Sequence, residues 1–208
     1  MTAYKNFIQD FPVRCRKMLD DYAVTAEGKD LDVTLLLTIA TSAFVIPYER
    51  LSSSNTDHIA DDRTEVTVAA LQELERRSFG EWVNGSSWRT RFEVPREEIK
   101  GGTADTWAAR RSTHAIASSV HVGRILKIAR NALAHGSIFI QAAALNKPGA
   151  IVSLVFVSEH WAQNSKGKWE RTGTYNMVIC SPTDFEQMLR TWISFLEELR
   201  LPLDSQDI

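Results

Sequence analysis

Cysteine is scarce in this 208-residue chain: Cys15 and Cys180 are the only two, and neither belongs to a C-x-x-C pair. That argues against a cysteine-based zinc site and against a small disulfide scaffold. Long hydrophobic runs are missing too. The most apolar stretch, Val33 to Ile46, spans 14 residues and contains four hydroxyl side chains, where a membrane-spanning helix needs about 20 apolar residues. It reads as a buried core helix. The opening residues carry Lys5, Asn6, Gln9 and Asp10, where a signal peptide needs an unbroken apolar stretch. The expectation is a cytoplasmic protein with reduced thiols and no membrane partner. No sign of charge dominates, with 24 basic against 26 acidic residues, so bulk electrostatics will not hold nucleic acid and any such contact must be local. There is no Gly-rich phosphate loop, no G-x-S-x-G and no H-E-x-x-H, which removes the common nucleotide, hydrolase and zinc-protease signatures. His58, His114, His121, His135 and His160 show no ligand spacing, so neither a metal nor a cofactor is expected.

What is present suits a globular chain, with 44% apolar and 24% charged residues. The first half reads helical. Residues 4–22 place Tyr4, Phe7, Ile8, Phe11, Met18, Leu19 and Tyr22 at mostly helical spacing, with Pro12 as a kink. A second helix runs from Leu31 to about Leu51, apolar nearly all round, with Asp30 and Asp32 as candidate caps. A polar stretch to about Arg63 precedes a third helix over Glu65–Arg77. Gly80, Gly85, Pro95 and Gly101-Gly102 mark residues 78–103 as an irregular loop insertion with at most short elements. A long helix follows from Ala104 or Ser112 to about Ala134, ended by Gly136.

The period then changes. Ser137–Leu145, Ala150–Glu159 and Thr172–Cys180 read as three antiparallel strands joined at Asn146–Gly149 and Gln163–Gly167. Ser181-Pro182-Thr183-Asp184 opens a last helix with a hydroxyl cap, a first-position proline and an early acid. The fold class expected is mainly α. It is one domain over 1–208, an antiparallel helical bundle with a three-stranded β-meander (137–180) before the C-terminal helix.

Two segments carry candidate chemistry. In residues 88–111, Trp88, Phe92 and Trp107 alternate with arginines and Lys100, a pattern single-stranded nucleic acid favours. Glu93, Glu97, Glu98 and Asp105 dilute it, and a solvated loop with packed aromatics is the simpler reading. Trp161 and Trp169 at the second strand turn likewise read as packing.

The second segment is Arg124 to Gly136, RILKIARNALAHG. With Arg124 at zero and about 100° per residue, Asn131 falls at about −20°, His135 at about +20°, Lys127 at about −60° and His121 at about +60°. Val122, Ile125, Leu126, Ala129, Ala132 and Leu133 fill the opposite arc. Arg130 lies near about −120°, at the edge of the polar stripe. The helix buries aliphatic side chains and presents imidazole, guanidinium, ammonium and amide along one line.

Arg130-Asn131-Ala132-Leu133-Ala134-His135 resembles the R-x(4–6)-H motif of HEPN domains, small helical bundles found in toxins and anti-phage ribonucleases. A bare Arg-x(4–6)-His arises about once by chance in such a chain; fixing Asn after the arginine and the spacing lowers that to roughly 0.013. The resemblance covers residues 1–136 and 182–199 and leaves the meander unexplained. It implies a metal-independent endoribonuclease acting as a toxin or defence effector. Arg130, Asn131 and His135 would be catalytic, and Arg124, Lys127 and His121 would bind RNA. His135 would move protons near neutral pH, Arg130 would offer a bidentate fork to phosphate, and Asn131 would orient the ring or touch substrate. It also implies a homodimer through the motif helix and an antitoxin protein as a candidate partner. A non-catalytic HEPN module for dimerisation, or for nucleotide or RNA binding in a regulatory or defence complex, is the alternative.

Overall fold

The computed structural model describes residues 7–27, 31–52, 64–84, 87–109, 114–115, 119–142 and 150–199. In chain order these form α1 (Phe7–Glu27), α2 (Asp32–Ala40), a π-helical segment (Thr41–Val45), α3 (Ile46–Leu51), α4 (Glu65–Arg76) and α5 (Phe79–Trp82). There follow β1 (Arg89–Pro95), α6 (Arg96–Lys100), α7 (Ala104–Ala109), β2 (His114–Ala115) and α8 (Val122–His135). The order closes with β3 (Ile138–Ala142), β4 (Ile151–Gln163), β5 (Trp169–Cys180) and α9 (Pro182–Glu198). The protein is mainly α, as its periodicity suggests. Its chain divides into two compact units, one holding residues up to Arg76 and from Glu186 onward, the other Arg77–Phe185.

The first unit is helical. Ile8, Cys15, Leu19 and Ala26 put one buried stripe along α1, and Pro12 lies inside that helix. The second predicted helix forms as α2, the π-helical segment and α3 in unbroken succession. Its N-cap is Leu31, without a side-chain capping bond, and Asp32 is instead the acid of the first turn. Asp30 lies outside the described residues, as does most of the polar stretch before α4. The combined rod has the length and mean hydropathy of a membrane span, 20 residues at 1.2, with half of it buried in protein.

At the π-helical segment the Ala43 carbonyl accepts a hydrogen bond from the Trp192 indole N–H at 3.1 Å. Widening a helix frees a carbonyl from its usual partner, and Trp192 supplies a buried donor there. Phe44 meets the same indole edge-on at 5.3 Å. Arg16 ties α1 to α9 through Ser194 Oγ at 2.9 Å and Glu197 at 3.1 Å. Thr64 and Thr67 cap the start of α4 reciprocally, each hydroxyl accepting the other's backbone N–H.

Among the described residues the second unit is built on a five-stranded antiparallel sheet of order β2-β1-β5-β4-β3. The expected meander is its β3-β4-β5 part, extended on the β5 edge. That corrects the irregular loop expected over 78–103, because Arg89–Pro95 is a strand paired with β5. Its register shifts between Arg91 and Val94, and Glu93 there takes φ 57°. This bulge breaks the two-residue period on which sequence reading relies. The single long helix expected before Gly136 is also corrected: α7 ends at Ala109, β2 follows, and α8 begins only at Val122.

Strand alternation separates the two faces of the sheet. Val155, Val157, Met177 and Ile179 pack with Val94, Ala104 and Trp107 on one side. On the other, α8 lies across β4 and β5, and Phe156 meets Phe185 at 4.8 Å. The packed-aromatic reading of residues 88–111 holds for Trp88 and Trp107, which are both buried. Ser181 caps α9 as expected, its hydroxyl accepting the Asp184 N–H at 3.1 Å.

Two predictions follow from this packing. A Cβ at Gly102 would collide with the Trp107 indole nitrogen. Gly102→Ala must therefore displace a fully buried ring, at a cost of about 1–3 kcal/mol; a lowered urea midpoint with red-shifted tryptophan emission is the expected result. Burial pushes the Cys15 thiol up to about 11 and the Cys180 thiol well above its ordinary range, with Asp184 adding to the latter. Since the thiolate is the reactive form, the native protein should resist iodoacetamide at neutral pH and take up label at both positions only in denaturant.

Candidate functional site

Helix α8 owes its placement to both of its ends. His121 is its N-cap in extended conformation and bridges to Ser78, so it precedes the helix and is not a member of its polar stripe. That corrects the sequence-derived position of about +60°, because the helix starts one residue too late to carry His121. At the other end Gly136 adopts a left-handed conformation, φ 67°. The Ser137 N–H reaches the Ala132 carbonyl at 2.8 Å and the Gly136 N–H the Leu133 carbonyl at 3.4 Å, the pair of bonds that closes a helix in the Schellman manner. His135 is therefore held at the last turn, with two residues between it and β3.

The predicted aliphatic face is buried in full: Val122, Ile125, Leu126, Ala129, Ala132 and Leu133. Ile128 is buried as well. Its place within the polar arc shows that the sheet runs beneath the stripe as well as beneath the apolar face. Under it the cross-strand pair Ser158 and Asn176 interrupts the aliphatic surface, with each residue less than a tenth exposed. The Asn131 amide donates to Ser158 Oγ at 2.9 Å. Asn176 Oδ1 accepts the Glu93 backbone N–H at 3.2 Å, so the β1 bulge and the motif helix converge on one strip of polar sheet.

Two cavities share that strip. One, of about 450 Å³, is lined by Arg124, Lys127, Ile128, Asn131, Ser158, Glu159, His160, Trp161, Trp169 and Asn176. The other, of about 560 Å³, has walls from Asn131, His135, Ser137, Ser158, Glu159, Trp161, Arg171 and Tyr175, among others. The structure thus brings Arg124, Lys127 and Asn131 to one cavity and Asn131 with His135 to the adjoining one. Arg130, half-buried on another side of α8, and His121 line neither.

Cations and rings alternate around these walls. The Arg124 guanidinium lies 3.5 Å from the Phe92 ring centroid. Desolvation lowers its pKa, opposed by the charge of Glu93. The Lys127 ammonium is 5.7 Å from the Trp169 ring, and Arg171 is 5.3 Å from the Trp161 ring while pairing with Glu159 at 3.3 Å. His160 Nδ1 is 3.3 Å from Thr174 Oγ1. Sequence reading took Trp161 and Trp169 for packing, whereas both are exposed; it noted His160 only as a histidine without ligand spacing and did not single out Arg171 or Asn176. The two indoles had a signal, since both stand beside a polar turn where little is available to bury them.

This chain belongs to the HEPN pEK499 p136 family, whose model matches residues 1–202. The match takes in the sheet, which the short motif by itself leaves unexplained. Neither the curated proteins nor the solved structures contain a match to it.

The Asn131–Ser158 bond gives a direct test. Removing either partner of this part-buried hydrogen bond gives up a net stabilisation of about 0.5–1.5 kcal/mol. Ser158→Ala and Asn131→Ala should each destabilise the fold by that order. The double variant should lose less than the sum, a coupling measurable by urea denaturation of the four proteins. Additive losses would show that the bond contributes nothing.

Proposed function

We propose that this protein is a metal-independent endoribonuclease of HEPN type, built on a HEPN-like helical bundle. On this reading it works in the cytoplasm as a toxin or defence effector. The observation that supports this most is the alignment of Arg124, Lys127, Asn131 and His135 along the walls of two adjoining cavities, on the helix that carries the family-type motif.

Strand cleavage requires the 2′-hydroxyl to attack the neighbouring phosphorus while the bond to the 5′ oxygen breaks. One proton leaves the nucleophile and another reaches the departing oxygen. His135 is the residue suited to that transfer. Arg130 supplies a charge that persists across the physiological range and matches the extra negative charge on phosphate. Arg124 and Lys127 hold flanking phosphates, and Asn131 braces the helix on the sheet. A homodimer through α8 brings two copies of Arg130 and His135 to one scissile bond, so that one imidazole accepts the proton and the other delivers it. RNA is the substrate, and an antitoxin protein is the natural restraint on such an activity.

A second reading is favoured by one feature. Asn131 is already bonded to Ser158, and Arg130 lines neither cavity, as would suit a non-catalytic HEPN module that binds RNA or a nucleotide.

Cleavage of total cellular RNA in EDTA separates the two. Wild type should cut, and His135→Ala and Arg130→Ala should each lose about 10²–10⁴-fold in rate, with a cooperative unfolding transition showing that each variant is folded. A wild-type protein that binds RNA yet leaves it intact would move the conclusion to the binding module.

A further inference from the structure

We infer that the outer end of the β4–β5 hairpin is a stacking subsite for the unpaired bases of single-stranded RNA, leading along the sheet to His135. The inference deepens the ribonuclease reading and rests on it for the identity of the polymer.

Trp161 and Trp169 are the observation that demands a role. They are 44% and 56% exposed, whereas Trp88, Trp107 and Trp192 are each at most 3% exposed. The register pairs Trp161 with Arg171 and Gln163 with Trp169, which makes the two indoles diagonal neighbours across the hairpin. Both line the cavity that also holds Arg124 and Lys127, and Trp161 is shared with the cavity that holds His135. A path therefore leads from Trp169 and Lys127, across Trp161, to the motif histidine. The volumes, about 450 and 560 Å³, fall in the usual range for small-ligand cavities, about 300–1,000 Å³.

The chemistry selects the ligand. Exposed indoles attended by cations match alternating bases and phosphates, the pattern of sequence-tolerant single-strand binding. A duplex hides its base faces in the stack and offers an indole nothing to lie on. Lys127, 5.7 Å from the Trp169 ring, is set to meet a phosphate beside a base stacked there. Glu159, one carboxylate common to both cavities, would repel phosphate, but its pairing with Arg171 offsets that charge and leaves oxygens able to accept from a base amine. Phosphates therefore run along α8 and bases along the hairpin.

Binding is measured by anisotropy with a short fluorescein-labelled single-stranded RNA of mixed sequence, using the full chain carrying His135→Ala so that nothing is cut. Trp161→Ala and Trp169→Ala should each weaken binding roughly 5- to 150-fold, Trp169→Phe should restore most of it, and the annealed duplex should bind less well. Lys127→Ala should flatten the salt dependence. Both positions are exposed, so the variants should keep wild-type unfolding curves. Unchanged affinity in both folded alanine variants would overturn the subsite, as would an acidic peptide that binds while the RNA does not. If unaltered protein fails to cut RNA but binds it in a tryptophan-dependent way, the subsite stands and the catalytic reading falls.

Discussion

One hydrogen bond within an aliphatic interface, from the Asn131 amide to Ser158 Oγ, fixes how α8 lies on its sheet. Aliphatic packing alone is directionally permissive, since a helix can slide or roll by a few degrees at little cost. A part-buried donor and acceptor narrow that freedom, because sliding the helix gives up their bond. Once α8 is locked, Arg124, Lys127 and His135 follow as a row along the sheet. The cavities on either side of that bond exist because Ser158 and Asn176 are small polar residues in a surface that is otherwise Leu154, Phe156 and Val178.

Much of this was legible in the sequence. The aliphatic arc of α8 and its Gly136 terminus, the β3-β4-β5 meander and the Ser181 cap all rest on short-range rules, which the chain obeys. Position within a regular element is where those rules are strongest. The polar stripe was visible for Arg124, Lys127, Asn131 and His135. It was wrong for His121, which is the extended N-cap just ahead of the helix.

What was not legible depends on partners far away in sequence. β1 reads as RTRFEVP, whose alternation is spoiled at Phe92–Glu93 by a bulge that matters only opposite Asn176. The roles of Trp161 and Trp169 were hidden for a similar reason. What an indole beside a turn does depends on what the fold places above it; over Trp169 that is Lys127, more than thirty residues earlier in the chain, and over Trp161 it is Arg171 from the facing strand. Arg130 was legible as a motif residue, but its direction from α8 was fixed by the helix geometry rather than by the motif.

The manner in which α8 ends has its own consequence. His135 is positioned by main-chain geometry: the two bonds that close the helix at Gly136 and Ser137, and the Ser137 carbonyl that accepts the Val157 N–H at 3.0 Å. The spacing between the histidine and the first paired residue of the sheet is thus rigid in number while the side chains around it are interchangeable. A single residue gained or lost between Ala134 and Ile138 would turn the imidazole away from the groove and shift the sheet edge out of register together.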